Sequence, residues 1–542
     1  MSVSRPRRRS LVTLGFFAAF AVAAFAALWL LDYFVIDAGH RSSAGGPGSV
    51  GPFAQLFDFD AETMQNALGS LSQVIAAVLG IAITVVSIVV QLAATRYTSR
   101  VADMFFRDRI NLGVMGFFVV ACLEALWVSL TVRKDYVPQA TITATVIMAS
   151  GSLLGLVPYF AYVFDFLDPE KVIARIGAET LERATSPKKA RSGAETAADR
   201  QSHALGGLAN LADIAVNALG QKDKVIATDA SAALRRLLVG YQQRKGALDA
   251  DWFTIGAALR ADPDFVALAA DSLDDLASRR TWLEWKGLRQ LREVFGAALT
   301  TMPEMAHVVA IDTRYVGEAA LAALDRAGLV LTVKFMNTYL RAALNARDVR
   351  TAYNVLNQYR QLAESLLVTR NAWPQAVLVD IAGHFKYYAR LAHGIGLAFV
   401  TETAAYDMCA LCEMANEYDA TCHDRLLGVF LEIDREPETQ AEEMALRGVR
   451  KAQAKLASYY LLHDQPARAR RIHDDMASES PDRLRSIRDE MLAITSKDFW
   501  EVVDRGTNFD YLPDDRKEKL RVFFATFASL ATSAPAPAPA AE

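Results

Sequence analysis

Four long apolar segments lie in the first third of the chain: Leu11 to Leu31, Leu71 to Ala94, Leu112 to Val132 and Ala140 to Phe164. None follows them. Each comes close to or exceeds the roughly 20 residues with which a helix crosses a hydrocarbon layer of about 30 Å. In hydrocarbon every backbone N–H and C=O must find its partner inside the protein, so runs of this length fold as helices. The expected fold class is therefore all-α. A four-helix transmembrane domain takes residues 1–168, and an amphipathic segment and linker take 169–202. An α-helical, solenoid or bundle-like, cytoplasmic domain takes 203–528, and a disordered Ala/Pro tail takes 529–542.

Positive charge sets the expected orientation. Arg5, Arg7, Arg8 and Arg9 precede the first segment, and Arg96, Arg100, Arg107 and Arg109 follow the second. The alternate connectors carry only Arg41, and Arg133 with Lys134. The positive-inside rule then puts both termini in the cytoplasm. The rival reading takes Arg8-Arg9-Ser10-Leu11 as a twin-arginine export signal. Against it, the uncharged run continues through Ala27, Leu28, Trp29 and Leu30 without a polar cleavage region, longer than a typical signal core of roughly 7–15 residues.

The net charge of −4 and the mixed signs of the C-terminal part lack the basic stripe of a nucleic-acid binder. Four cysteines, one of them in a span, are too few for an extracellular disulfide framework. Gly46-Pro47-Gly48-Ser49-Val50-Gly51 spells a dinucleotide fingerprint, but no strand precedes it and no helix opens on it. No nucleotide, zinc-protease, hydrolase or kinase motif occurs, so the chain reads as a non-enzyme without a cofactor. Asp474-Asp475 and Asp514-Asp515 read as exposed pairs or caps.

Asp58, Asp60 and Glu62 look like the capped start of a helix running into the second span. Pro158 should kink the fourth. Ala184 to Ser202 reads as linker, with Ser186-Pro187-Lys188-Lys189 near its start. Beyond it, apolar residues recur at helical spacing, as in Leu205, Leu208, Ala212, Ala215 and Leu219. Ala261-Asp262-Pro263-Asp264 marks one break. Near 450–483, Leu456, Ala457, Tyr460, Ala469 and Pro481 fall at tetratricopeptide separations, with Gln453 where that pattern has Trp.

The second span carries the main candidate site. Asn66, Ser70, Gln73, Ala77, Gly80, Thr84, Ser87, Gln91 and Thr95 recur every three or four residues, so one helix face is small and polar while Val and Ile fill the others. Either the face packs spans together, or it lines a polar pathway within one subunit or around an oligomer axis. Glu124, with Cys122 and Trp127 nearby, is an intramembrane carboxylate: a protonatable or ion-binding group, or a hydrogen-bonding partner of a neighbouring span. Arg96, Arg100, Arg107 and Arg109 stand among Tyr97, Phe105 and Phe106 as interfacial anchors to lipid headgroups. Cys409, Cys412, Cys422 and His423, with His384 or His393, have a spacing compatible with zinc, although three-residue spacing on a helix equally describes buried structural thiols.

Val86-Ser87-Ile88-Val89-Val90-Gln91-Leu92-Ala93, Thr98-Ser99-Arg100 and Phe106-Arg107-Asp108-Arg109 resemble a bacterial family known only as a predicted membrane protein of unknown function. The likeness covers about residues 70 to 168, and Ala212 to Leu219 looks like the start of that family's soluble region. Thr98-Ser99-Arg100 stands where the family tends to have Ser-Pro-Arg. The resemblance implies a multi-pass protein of the bacterial inner membrane and supplies no activity.

Three functions remain in order. The first is a channel- or transporter-like homo-oligomer with the second span's polar face as its path. The second is a membrane-tethered scaffold or sensor whose helical domain binds a cytoplasmic protein partner. An enzyme comes last, for want of a catalytic constellation.

Overall fold

A computed structural model of the protein describes residues 61–96, 105–106, 108–133, 138–186, 196–369, 372–434, 440–498, 503–527 and 530. The described residues are helical, without strands, and fall into two compact units, 1–172 and 173–542.

In the first unit, α1 (Ala61–Arg96), α2 (Arg109–Thr131) and α3 (Gln139–Phe166) pack on one another. Three stretches of these helices are long and apolar enough to cross a membrane: Glu62–Leu92, Arg109–Thr131 and Ala140–Phe166. Three spans thus stand where four were expected, and the Leu11–Leu31 segment lies outside the described residues, as do Asp58 and Asp60. α1 starts ten residues ahead of its apolar run with Glu62 in its first turn, as the acidic approach to the span implied. At 36 residues it extends about 54 Å, well beyond one hydrocarbon thickness. Pro158 sits inside α3, where its ring removes one helical N–H donor.

α4 (Pro169–Thr185) carries the boundary between the units within it. The expected linker to Ser202 is shorter than the composition implied. Thr196 and Asp199 form a reciprocal capping box, so α5 (Ala197–Gly220) begins there and already buries Arg200 and Gln201.

The second unit continues with α6 (Lys224–Gln242), short helices α7 (Ala257–Arg260), α8 (Pro263–Val266) and α9 (Ala270–Ser278), then α10 (Trp282–Thr301) and α11 (Pro303–Ala322). α12 (Arg326–Asn345), α13 (Val349–Leu367), α14 (Ala372–Gly394), α15 (Ala398–Glu417) and α16 (His423–Leu431) follow. α17 (Gln440–Leu462), α18 (Pro466–Met476), α19 (Pro481–Ala493) and α20 (Asp514–Ala525) complete it. The helices stack in two rows. One row runs α5, α10, α12, α14, α16, and the other runs α6, α11, α13, α15, α17, α20. Adjacent members of each row touch, and from α5 to α16 helices in opposite rows that follow one another in sequence pack together. This is the solenoid-like alternative of the expected fold.

One turn design joins these helices. Lys222, Leu324, Arg347, Asp419 and Asp464 all adopt left-handed backbone with φ between 49° and 58°, and the next residue's N–H reaches back to a carbonyl of the preceding helix. Asp223, Asp325 and Asp348 then cap the following helix, accepting from Ile226, Gly328 and Thr351. One short connection thus satisfies orphan groups of both helix ends, which fixes the hairpin angle and hence the stacking.

The helix pair expected near 450–483 is α17 with α18. Leu456, Ala457, Tyr460 and Ala469 are all buried, and Pro481 opens α19. Gln453 has a polar role. It binds Arg450, Asp434 and Asp475, and Arg450 also pairs with Glu479 at 2.6 Å. Asp475 is therefore no exposed bystander, contrary to the sequence reading. It helps neutralise a buried guanidinium, as a charge held out of water requires. Asp262 and Asp264, at the expected break, likewise hold the buried Lys286.

Candidate functional site

α1 meets its neighbours with its apolar side. Leu68, Ile75, Ala82, Val86 and Val90 are buried. Leu68 clusters with Val128, Val132 and Ile142, and Ile75 with Ala125 and Ala149. Alanines at these positions let backbones come close, which is what drives helix association where no water is present. The polar stripe points elsewhere: Asn66, Ser70, Gln73, Ala77, Gly80, Thr84, Ser87 and Gln91 are all exposed. A Cβ placed on Gly80 would meet nothing within 4 Å. Thr84 donates to its own helix at Gly80 O, 2.8 Å away. α2 and α3 are thus held to α1 by residues other than those of the stripe. The side chain of Thr95 lies outside the described residues.

Glu124 is half-buried in a groove of about 510 Å³ between α2 and α3. Val120, Glu124, Trp127 and Thr131 line it from successive turns of α2, with Pro138 and Thr141 opposite. No described residue of α1 lines the groove. The carboxylate and the polar stripe thus belong to different faces of the bundle.

Of the four arginine anchors, Arg109 opens α2 and is exposed. Arg100 and Arg107 lie outside the described residues, and so does the side chain of Arg96 at the end of α1. Beside Arg109 the structure assembles a cluster that the sequence did not announce. Asp108 caps α2, accepting from the Ile110 and Asn111 N–H groups at 2.9 and 3.2 Å. Tyr162 of α3 donates to the same carboxylate. Asn111 donates to Phe105 O at 3.2 Å and accepts from the Tyr159 hydroxyl at 2.8 Å. Phe105 is fully buried and meets Phe166 edge-on. The legible signal was an Asp immediately before an apolar run, which is an N-cap. Its two tyrosine partners come from residues some fifty positions later, and only the packing of α2 on α3 brings them there.

Residues 8–206 match the family model described as Predicted membrane protein (DUF2254). Over these residues the chain is similar to that family. The DUF2254 region contains all three described spans and continues into α5. It begins at residue 8, well before the expected 70, and ends short of Ala212–Leu219, so that segment is not part of the match. The Asp108 cluster, the polar stripe and Glu124 all lie within the DUF2254 region. No curated protein and no solved structure matches the chain.

Outside the DUF2254 region, Cys409 and Cys412 are buried on α15, and Cys422 is buried just before α16. Burial pushes the Cys409 and Cys412 thiols well above their usual range, which favours the protonated form over the thiolate a metal needs. The Nε2 of His423 is hydrogen-bonded with the Tyr460 hydroxyl at 2.7 Å. His384 is engaged elsewhere, with Tyr359 and Asn337. Among the described residues no group of three or more His, Cys, Asp or Glu is arranged to hold a metal ion.

Proposed function

We propose that several copies of this chain associate through the exposed polar face of α1, so that Gln73, Gly80, Thr84, Ser87 and Gln91 line a shared hydrated path. The protein is then channel- or transporter-like. One observation carries the reading: the α1 residues covered by α2 and α3 are apolar, while every described residue of the polar stripe is exposed, beside exposed apolar residues such as Ile81 and Ile88. Amides and hydroxyls facing lipid tails are costly, and burial against like faces around water removes that cost. The positive-inside distribution of the arginines supports an orientation with both termini and the second unit in the cytoplasm, and the family resemblance supports a bacterial inner membrane. Glu124 lies in its own groove, outside the α1 path.

Flux through liposomes containing the purified protein tests this directly. Gln91→Leu and Thr84→Val lower the flux, and cysteines at Thr84, Ser87 and Gln91 react with a water-soluble thiol reagent. Unreactive cysteines at all three positions, with no flux from the wild type, reject the pathway.

A second reading, a tethered scaffold with a protein partner, draws on the two-row stack of helices. Recovery of a stoichiometric partner by the full-length protein, in the absence of flux, favours it over the first.

A further inference from the structure

Between α19 and α20 a short 3-10 turn, Val503–Arg505, leads into irregular residues, and residues 504–512 lie across α13, α15 and α17. Asp504 accepts from Arg350 Nε and Nη2 at 3.0 and 3.1 Å, from the Tyr353 hydroxyl at 2.9 Å and from Asn354 Nδ2 at 3.3 Å. Arg505 gives both terminal nitrogens to Asp407, at 2.6 and 3.2 Å, and one of them also to Tyr353 O. Gly506, at φ 58°, turns the chain where a side chain would be strained. Phe509 stacks on Tyr406 with centroids 4.7 Å apart and planes 11° from parallel. Asp510 takes the ammonium of Lys451 at 2.8 Å and the Tyr406 hydroxyl. Lys455 reaches the carbonyls of Phe509 and Tyr511.

These are the contacts of a bound peptide. Three neighbouring helices of one row read an acid, a base, an aromatic ring and a second acid in order, and a lysine receives the backbone carbonyls between them. Charge-assisted forks of the Arg350–Asp504 and Arg505–Asp407 kind fix register as well as position.

We propose that residues 504–512 occupy, within the same chain, a peptide-binding groove formed by α13, α15 and α17, and that an extended segment of a partner protein with the same acid–base–aromatic–acid order exchanges with them. Asp407 is buried between two cations, Arg505 and Arg360, the latter 3.2 Å away, so losing Arg505 removes one of the two charges that neutralise it. An incoming basic residue replaces Arg505 on it as the strap departs. The Arg350–Asp504 end, where Arg350 is 66% exposed, is the water-facing end at which exchange starts. This inference does not depend on the conduction path.

The test uses a fluorescent peptide with the sequence of residues 504–512 and the full-length protein in detergent, read by anisotropy. A variant carrying Arg505→Ala and Asp510→Asn, whose strap is weakened, binds the peptide at least tenfold more tightly than the wild type. Adding Lys451→Ala or Asp407→Asn to that variant lowers its affinity about tenfold, and a peptide carrying Asp504→Lys and Asp510→Lys does not bind. Equal or absent binding by the weakened variant, with its melting transition retained, overturns the proposal. If that variant does not fold, hydrogen exchange on the unmodified protein decides. The Asp510 and Tyr511 amides, held by Asn508 Oδ1, exchange faster than the core amides of α15 if the strap opens by itself. Exchange only together with α15 overturns the proposal.

Discussion

Tyr162 donates its hydroxyl to the carboxylate of Asp108, tying the far end of α3 to the residue that starts α2. The same carboxylate satisfies two of the first N–H groups of α2, so one side chain sets where that span begins and which helix lies against it. Asp108→Ala removes both functions. It lowers the stability of the detergent-solubilised protein by about 1–2 kcal/mol, the cost of a lost cap. Tyr162→Phe leaves the cap and lowers stability less. Thermal unfolding of the two variants side by side measures the difference, and equal effects would mean that the cap alone matters.

The two sides of α1 respond oppositely to bulk. Ala125 and Ala149 are buried against Ile75, so Ala125→Leu overpacks the seam and costs about 1–3 kcal/mol. Gly80→Leu adds the same bulk to an open surface and leaves the three-helix packing intact. If copies associate through this face, Gly80→Leu instead weakens the oligomer, seen by light scattering in detergent at unchanged melting temperature.

Arg450 neutralises Asp434, Asp475 and Glu479 together. Arg450→Met leaves buried carboxylates without their cation, and the expected loss is about 3–5 kcal/mol. Arg447→Met breaks a partly exposed pair with Glu490 and costs under about 1 kcal/mol. Chemical denaturation of both variants gives the ratio.

Two buried groups make stability depend on pH in opposite senses. Burial pushes the Asp312 carboxyl up to about 6, although Ser231 and Arg235 oppose the shift. Its stabilising contribution is complete below pH about 4, the ordinary aspartate range, and is lost as the pH rises through about 6. At about 1.4 kcal/mol per unit, that loss approaches roughly 3 kcal/mol by pH 7. Burial and the nearby Arg468 lower His423 to about 4. Its contribution is present above pH about 6.5 and is lost as the pH falls through about 4. Asp312→Asn therefore makes the stability curve fall more steeply with acid, and His423→Gln makes it fall less steeply. Melting temperatures between pH 4 and 7 read both slopes.

Leu324 holds a left-handed conformation at φ 55° and is largely exposed. A non-glycine residue there costs about 1–2 kcal/mol, and glycine's greater freedom in the unfolded chain returns about 0.5–1 kcal/mol of that. Leu324→Gly is expected to stabilise the second unit by several tenths of a kcal/mol or more. The same gain at Lys222 and Arg347 should add, because the three turns are separate. Combined variants followed by denaturant unfolding measure it.

Period and length made much of this protein legible in advance. The three described apolar runs of span length became helices because hydrocarbon leaves the backbone no other way to pair its polar groups. The three- and four-residue spacing of Leu205, Leu208 and Ala212 became α5 because one face had to be buried. Thr196 with Asp199, a capping box, is legible in the sequence, but the polar composition around it hides the helix start within an apparent linker.

What the sequence by itself determined was which residues are helical and that one face of α1 is polar, since both follow from local spacing. Only the tertiary structure decided that this face turns away from α2 and α3, that Tyr159 and Tyr162 close on Asn111 and Asp108, and that Arg505 lies on Asp407. These pairings join residues about fifty to one hundred positions apart. Their partners are selected by how helices stack, through left-handed turns and alanine seams, and no periodicity along the chain encodes that choice.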